Sequence, residues 1–355
     1  MKKTFNILNI IMILILLISC NGPNNLTPPN GNDNGNGNGN ENGDGPKPDP
    51  DPEYSYDEIL ADRFFETGFY LLGQSPVDDG RQVKKILDYG DTAKPSTKPI
   101  WFMAQWWTPY NFVDATYGYI DGAHTYLNQS RMLEVKTGEE GYLTMELLGS
   151  EEYLGGTREP SESWAHFLLE QYFDNDIDLS EIDKLIVSLD FKINKLIDKN
   201  GKDYNANYHA AQLLWYFTVR NYVDEGSSFE EVGKPNDYMW FGVPILDSRY
   251  DFVPNSAHID TGSAGTTNKL IYSMPSKDYI SEKIQVGKDY HIEIDILPYI
   301  KEAYLYAREN DALVNSLFEN LRVDYMNFGW ELPGAFDVSA TIKNMSVQAV
   351  TLINK

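Results

Sequence analysis

The sequence predicts an all-β fold, an antiparallel sandwich carrying one or two helices. Two observations predict it. Runs of alternating apolar and polar residues recur from Ile100 to Val350, separated by Gly, Asn, Pro and Asp, and only one stretch has a clear helical spacing. Side chains on a strand alternate between faces, so period two between turn residues reads as half-buried strands. Many strands with few helices bury their apolar faces best as two packed layers.

Taken in order, residues 57–65 suit a short helix, with Gly68 and Gly73 opposing a long one. Residues 75–99 read as loop with some strand. Residues 100–110 are the densest aromatic stretch. Trp101 and Phe102 read as buried strand, while Trp106, Trp107 and Tyr110 lie beside Pro109 and Asn111 at an apparent loop. There, core packing and a stacking platform for a sugar ring both fit. Residues 142–148 alternate. The stretch 164–173 splits most clearly: Ala165, Phe167, Leu169, Gln171 and Phe173 on one face, Trp164, His166, Leu168, Glu170 and Tyr172 on the other. Residues 185–193, 212–220, 289–296, 321–330 and 336–350 repeat the pattern. Pro298 followed by Ile300, Ala303, Tyr304 and Ala307 marks a helix ending at Asn310, which residues 311–320 continue after a break.

The 355 residues carry a formal charge of −24. Such a chain repels phosphate backbones, which argues against nucleic acid and against polyanionic glycans as the main partner. A single cysteine leaves no internal disulfide. It follows a basic start and an apolar run too short for a comfortable membrane span. Leu17-Ile18-Ser19-Cys20 resembles the lipobox of bacterial lipoproteins, which implies cleavage after residue 19 and acylation of Cys20. Residues 20–53, rich in Asn, Gly, Pro and Asp, are expected to be a disordered tether, and residues 54–355 the sandwich domain. The expected location is the cell envelope, at the outer membrane or cell surface.

The pattern over residues 100–352 resembles the concanavalin A-like and jelly-roll sandwiches of bacterial carbohydrate-active proteins. The ending Asn327-Phe328-Gly329-Trp330-Glu331-Leu332-Pro333-Gly334 through Val347 resembles their closing strands. With the lipobox, the resemblance implies a surface lipoprotein that captures or cuts polysaccharide.

The polar faces, gathered onto one sheet, form a concave surface. Its ligand-binding candidates are Trp164, His166, Tyr172, Gln212, Tyr216, Arg220 and His291, and the loop aromatics Trp106, Trp107 and Tyr110 are further candidates. A solvated face holds more Lys, Ser and Thr and fewer rings, so this composition points to a ligand groove. Glycoside hydrolysis needs two carboxyl groups, and Glu170 with Glu146, Glu293 or Glu331 could supply them. Among 53 acids some pair always suggests itself. Arg220, His166, Gln212 and Tyr216 also match the residue types of jelly-roll polysaccharide lyases.

Asp260-Thr261-Gly262-Ser263 resembles an aspartic-protease triplet, but no second copy occurs, so it reads as a turn. Asp247 and Arg249 read as an ordered ion pair. The five histidines show no zinc spacing, and no cofactor is expected, a structural calcium in a loop staying open. Three functions fit, in order: a glycan-binding lipoprotein, a glycoside hydrolase or less readily a lyase in the same groove, and an adhesion protein that binds another protein.

Overall fold

The computed structural model describes residues 53–74, 79–90, 98–154, 156–261 and 267–353. The leader, Cys20 and nearly all of the Asn/Gly/Pro-rich segment lie outside these residues, as do Gly262 and Ser263. The described chain is a jelly-roll-like β-sandwich of two sheets, as the alternation predicts.

One sheet, here the back sheet, contains β1 (Tyr54–Glu58), β5 (Thr116–Ile120), β6 (Ala123–Leu127), β7 (Arg131–Lys136), β8 (Tyr142–Leu148), β10 (Lys184–Asp198), β15 (Asp289–Asp295) and β17 (Phe336–Leu352). Its order is β15-β10-β17-β8-β7-β6-β5, with β1 on the far half of β17. The front sheet contains β2 (Phe69–Leu72), β3 (Val83–Leu87), β4 (Trp101–Ala104), β9 (Ala165–Asp178), β11 (Gln212–Asn221), β12 (Tyr238–Asp247), β13 (Ser256–Ile259), β14 (Leu270–Ser273) and β16 (Leu321–Leu332). It is ordered β13-β14-β12-β11-β16-β9-β4-β2-β3.

The pairing is antiparallel with two exceptions. β2 runs parallel to β4, and β12 to β14. In each case another strand and a long connection intervene in the chain, which gives the crossover a parallel pair requires.

The inner faces follow the alternation. Phe167 and Leu169 of β9, Trp215 and Phe217 of β11, and Phe328 and Trp330 of β16 are all buried, and so is Trp101. Each such side chain contributes about 1.5–3 kcal/mol by leaving water. Their polar atoms are satisfied: Trp330 Nε1 donates to the Met145 carbonyl of the back sheet at 3.1 Å, and Trp101 Nε1 to the Asp62 carbonyl at 2.8 Å.

Gln171 sits among these apolar residues because its amide is matched in both senses. Its Oε1 accepts from Ala61 N at 2.8 Å, and its Nε2 donates to Ala61 O at 2.9 Å. That strap replaces the helix expected at residues 57–65. β1 is held by pairing with β17, and Asp62 and Phe65 take φ of 50° and 56°, which a helix does not accept.

Three α-helices occur among the described residues: α1 (Gly149–Glu152), α2 (Phe229–Val232) and α3 (Leu297–Glu309). α3 is the helix expected from Pro298, with Ile300, Ala303, Tyr304 and Ala307 buried. Residues 311–320 do not continue it, because Asp311, Leu313 and Asn315 have positive φ.

Candidate functional site

The outer face of the front sheet carries the candidate site, and β9 and β16 are its centre. Their register sets His166 opposite Glu331, Glu170 opposite Asn327 and Tyr172 opposite Tyr325. On the far side of β16, β11 sets Tyr216 opposite Asn327 and Thr218 opposite Tyr325. β12 then sets Gly242 opposite Tyr216 and Trp240 opposite Thr218.

These positions make a continuous band of rings. Ring centroids are 5.3 Å apart for Tyr70–Phe102, 5.9 Å for Phe102–Tyr172, 4.8 Å for Tyr172–Tyr325, 6.0 Å for Tyr325–Trp240 and 6.3 Å for Trp240–Tyr216. The small Thr218 between Tyr325 and Trp240 leaves room for their rings to meet. Neighbouring strands lie ~5 Å apart, so cross-strand partners hand contacts from one strand to the next and the band crosses the strands. A second group, Trp106, His166 and Trp164, adjoins it, with the Trp164 ring stacked on the imidazole at 5.9 Å. Trp106, Trp107, Trp164, His166, Tyr216, Trp240, Asn327 and Glu331 help line a cleft of about 190 Å³, and no Lys or Arg is among its described lining residues.

Gly242 permits the floor. A Cβ there would stand 2.5 Å from Tyr216 Cε1 and 2.8 Å from Ser273 Oγ. Gly242→Ala is expected to displace the Tyr216 ring and cost about 1–3 kcal/mol, as the urea unfolding midpoint would report.

The two central carboxylates sit in opposite environments. Glu170 is wholly buried, and Arg81 Nη1 donates to its Oε1 and Oε2 at 3.1 and 2.8 Å. Arg81 Nη2 also donates to the Tyr172 hydroxyl at 2.5 Å. Burial pushes the Glu170 carboxyl above the usual range, and Arg81 and Tyr325 only partly oppose this. For Glu331, burial also pushes upward, but His166 and the Trp164 indole more than offset it and hold the carboxyl below the usual range. His166 Nε2 lies 3.4 Å from Glu331 Oε2, and Trp164 Nε1 donates to the same oxygen at 3.1 Å. Environments that drive two carboxyl groups apart are what an acid and an ionised partner require.

Their separation is another matter. Glu170 and Glu331 lie on adjacent strands but four residues out of register, which places their Cα atoms ~14 Å apart. Tyr325 and Arg81 hold one, Trp164 and His166 the other, four register positions apart. Glycosidase pairs need ~5–5.5 Å for retention or ~6.5–9.5 Å for inversion. The directly opposed partners are Asn327 for Glu170 and His166 for Glu331.

Other predicted residues are placed differently. Gln212 Nε2 donates to Asp247 Oδ2 at 2.8 Å, and Asp247 also holds Arg249 in the expected ion pair. Arg220 pairs with Asp324 at 2.5 Å and lies over the Tyr238 ring. Burial keeps the Tyr216 phenol protonated, far above its usual range. Tyr110 is not among the residues lining the cleft.

Glu146, Glu293 and His291 do not share this surface. They belong to β8 and β15 of the back sheet, where Glu146 pairs with Lys195 at 2.7 Å and His291 Nδ1 meets Asp190 Oδ1 at 2.6 Å. The alternation had assigned each residue to a face of its strand, but not its strand to a sheet. Asp260 accepts from the backbone and hydroxyl of Thr267. Among the described residues no group of three or more His, Cys, Asp or Glu is placed to hold a metal ion.

Several residues of the site went unnoticed in the sequence, Tyr70 among them, and Phe102, expected as buried core, joins the ring band of the outer face. Tyr325, Asn327 and Trp240 follow the period-two pattern of their strands and were open to detection. Arg81 comes from a loop and carried no signal.

Fold and site together define a β-sandwich with an aromatic, carboxylate-bearing cleft on one sheet. No family model and no curated protein matches the chain. Solved structures with a similar backbone course include a family 12 xyloglucanase from Bacillus licheniformis, at 8% identity, 66% of this chain, 97% of that one and TM-score 0.37. Endoglucanase Cel12A from Rhodothermus marinus matches at 9% identity, 67% of this chain, 97% of that one and TM-score 0.32. The xyloglucanase domain of NopAA from Sinorhizobium fredii, in complex with cellobiose, matches at 10% identity, 68% of this chain, 100% of that one and TM-score 0.31. Similarity at this level carries no residue role from those enzymes to this chain.

Proposed function

We propose that the front-sheet cleft binds a polysaccharide without strong negative charge, on a protein held to the bacterial cell envelope through acylated Cys20. The observation that carries this reading is the ring band from Tyr70 to Tyr216, which crosses six strands beside a cleft lined by Trp and carboxylate and by no described Lys or Arg. Ring faces pack against the C–H faces of sugars, while Glu331, Asn327 and His166 offer hydrogen bonds to hydroxyls.

A second reading, glycoside hydrolysis, is favoured by the opposed shifts of Glu170 and Glu331. It requires Glu331 to act with a group other than the distant Glu170. The test is to incubate the purified protein with xyloglucan, mixed-linkage β-glucan, xylan and galactomannan, following retention in affinity gels and release of reducing ends together. Retention without new ends supports capture. New ends that vanish in Glu331→Gln, with retention kept, support the hydrolase. Neither signal would leave binding of another protein as the remaining role.

The cleft also predicts a pH dependence. Glu331 has a lowered carboxyl pKa, so the stability its ionised form contributes is present above the unfolded value and is lost as pH falls through the folded one. Retention is expected to hold down through the ordinary carboxylate range and to fail only at a pH below it. Loss of retention between pH 7 and 6 would mean that Glu331 is not the controlling group. For the anchor, Cys20→Ala should move the protein from the membrane fraction to the soluble fraction.

A further inference from the structure

The cleft has a neighbour. A second cavity of about 550 Å³ adjoins it, and Trp107 and Ser163 line both. The residues lining the cleft come largely from β9, β16, β11, β12 and β14. The described lining of the second cavity comes from two connections, Trp107 and Thr108 between β4 and β5, and Glu152, Tyr153, Leu154, Thr157, Glu159, Glu162 and Ser163 between β8 and β9. It therefore lies beyond the strand ends, off the line of the ring band.

Two features mark it as built. Trp107, the shared wall, has φ of 57°, a left-handed conformation that a bulky residue adopts only when its surroundings enforce it. Glu152 lines the cavity with a side chain 1% exposed, and its Oε2 has no hydrogen-bond partner among the described residues. A buried carboxylate oxygen left bare calls for a donor.

We propose that this cavity receives the side branch of a branched polysaccharide whose backbone lies in the cleft. The inference rests on the glycan-binding reading and adds the class of glycan. A backbone following the ring band crosses the strands, so a substituent projecting along them enters the cavity past Trp107. The lining offers hydroxyl groups from Thr108, Thr157 and Ser163 and carboxylates from Glu152, Glu159 and Glu162, and no Lys or Arg among the described residues. A neutral or amine-bearing sugar fits that set, and a uronic acid branch does not.

The test compares oligosaccharides that share a backbone: cellotetraose with its xylosylated form, xylotetraose with its arabinosylated form, and mannotetraose with its galactosylated form. Calorimetry on the purified full-length protein is expected to show the branched member of at least one pair binding about 10-fold tighter. Leu154→Trp fills the cavity from its exposed rim, since Leu154 is 70% exposed and does not line the cleft. It should abolish the preference and leave linear affinity unchanged, while Glu162→Ala should weaken only the branched ligand. Linear members binding as tightly as branched ones in every pair would overturn the proposal and leave the glycan reading standing. A preference that survives Leu154→Trp would also overturn it. Absence of binding by all six probes would remove both.

Discussion

Arg131→Met is expected to cost about 3–5 kcal/mol of unfolding free energy. Arg131 belongs to the back sheet, and its side chain is wholly buried. Its Nη1 lies 2.8 Å from Glu152 Oε1 and also donates to the Thr108 hydroxyl. Its Nη2 donates to the His166 carbonyl at 3.3 Å, and the guanidinium lies over the Phe167 ring. One side chain thus ties the back sheet to β9 beneath the cleft. Removing it leaves the Glu152 carboxylate without its counter-ion, held only by the Thr108 hydroxyl at 3.1 Å, and a buried charge that loses its counter-ion costs more than the pair contributed. The double variant Arg131→Met/Glu152→Leu removes both charges and should recover most of the loss. Chemical denaturation of the two variants decides the matter. Equal destabilisation in both would show that packing, and not the stranded charge, dominates.

The second large effect is on binding. Trp164→Ala with Trp240→Ala is expected to weaken polysaccharide retention by about 100- to 1000-fold, taking about 2 kcal/mol for each ring lost from a contact surface. Both rings line the cleft, Trp164 is 37% exposed, and neither belongs to the buried core, so the unfolding midpoint should hardly move. Retention that survives the double variant would remove these two cleft-lining rings as the binding contacts. Retention lost together with stability would make the result uninformative about contact, and Trp164→Phe would then serve as the milder probe.

Much of this molecule was legible because period two is a local property. Phe167, Leu169, Trp215 and Phe217 face the core as their alternation says, and His166, Glu170, Tyr172 and Tyr216 face outward from it. Glu170 and Gln171 show the limit of that reading. Both are buried, and what makes burial tolerable is an arginine from a distant loop for one and the backbone of Ala61 for the other. Long-range partners leave no mark on the surrounding sequence.

The sequence by itself determined the strands β4, β8, β9, β10, β11, β15, β16 and β17, the faces their residues take, the main helix and the sandwich class. It did so because side-chain alternation, turn residues and helical spacing act over a few positions. Only the tertiary structure decided which strands share a sheet. That decision removed Glu146, Glu293 and His291 from the cleft, set Glu170 four residues out of register with Glu331, and brought Arg81 over Glu170. Register and sheet order arise from pairing between segments more than a hundred residues apart, and a pattern of two residues carries no information over that distance.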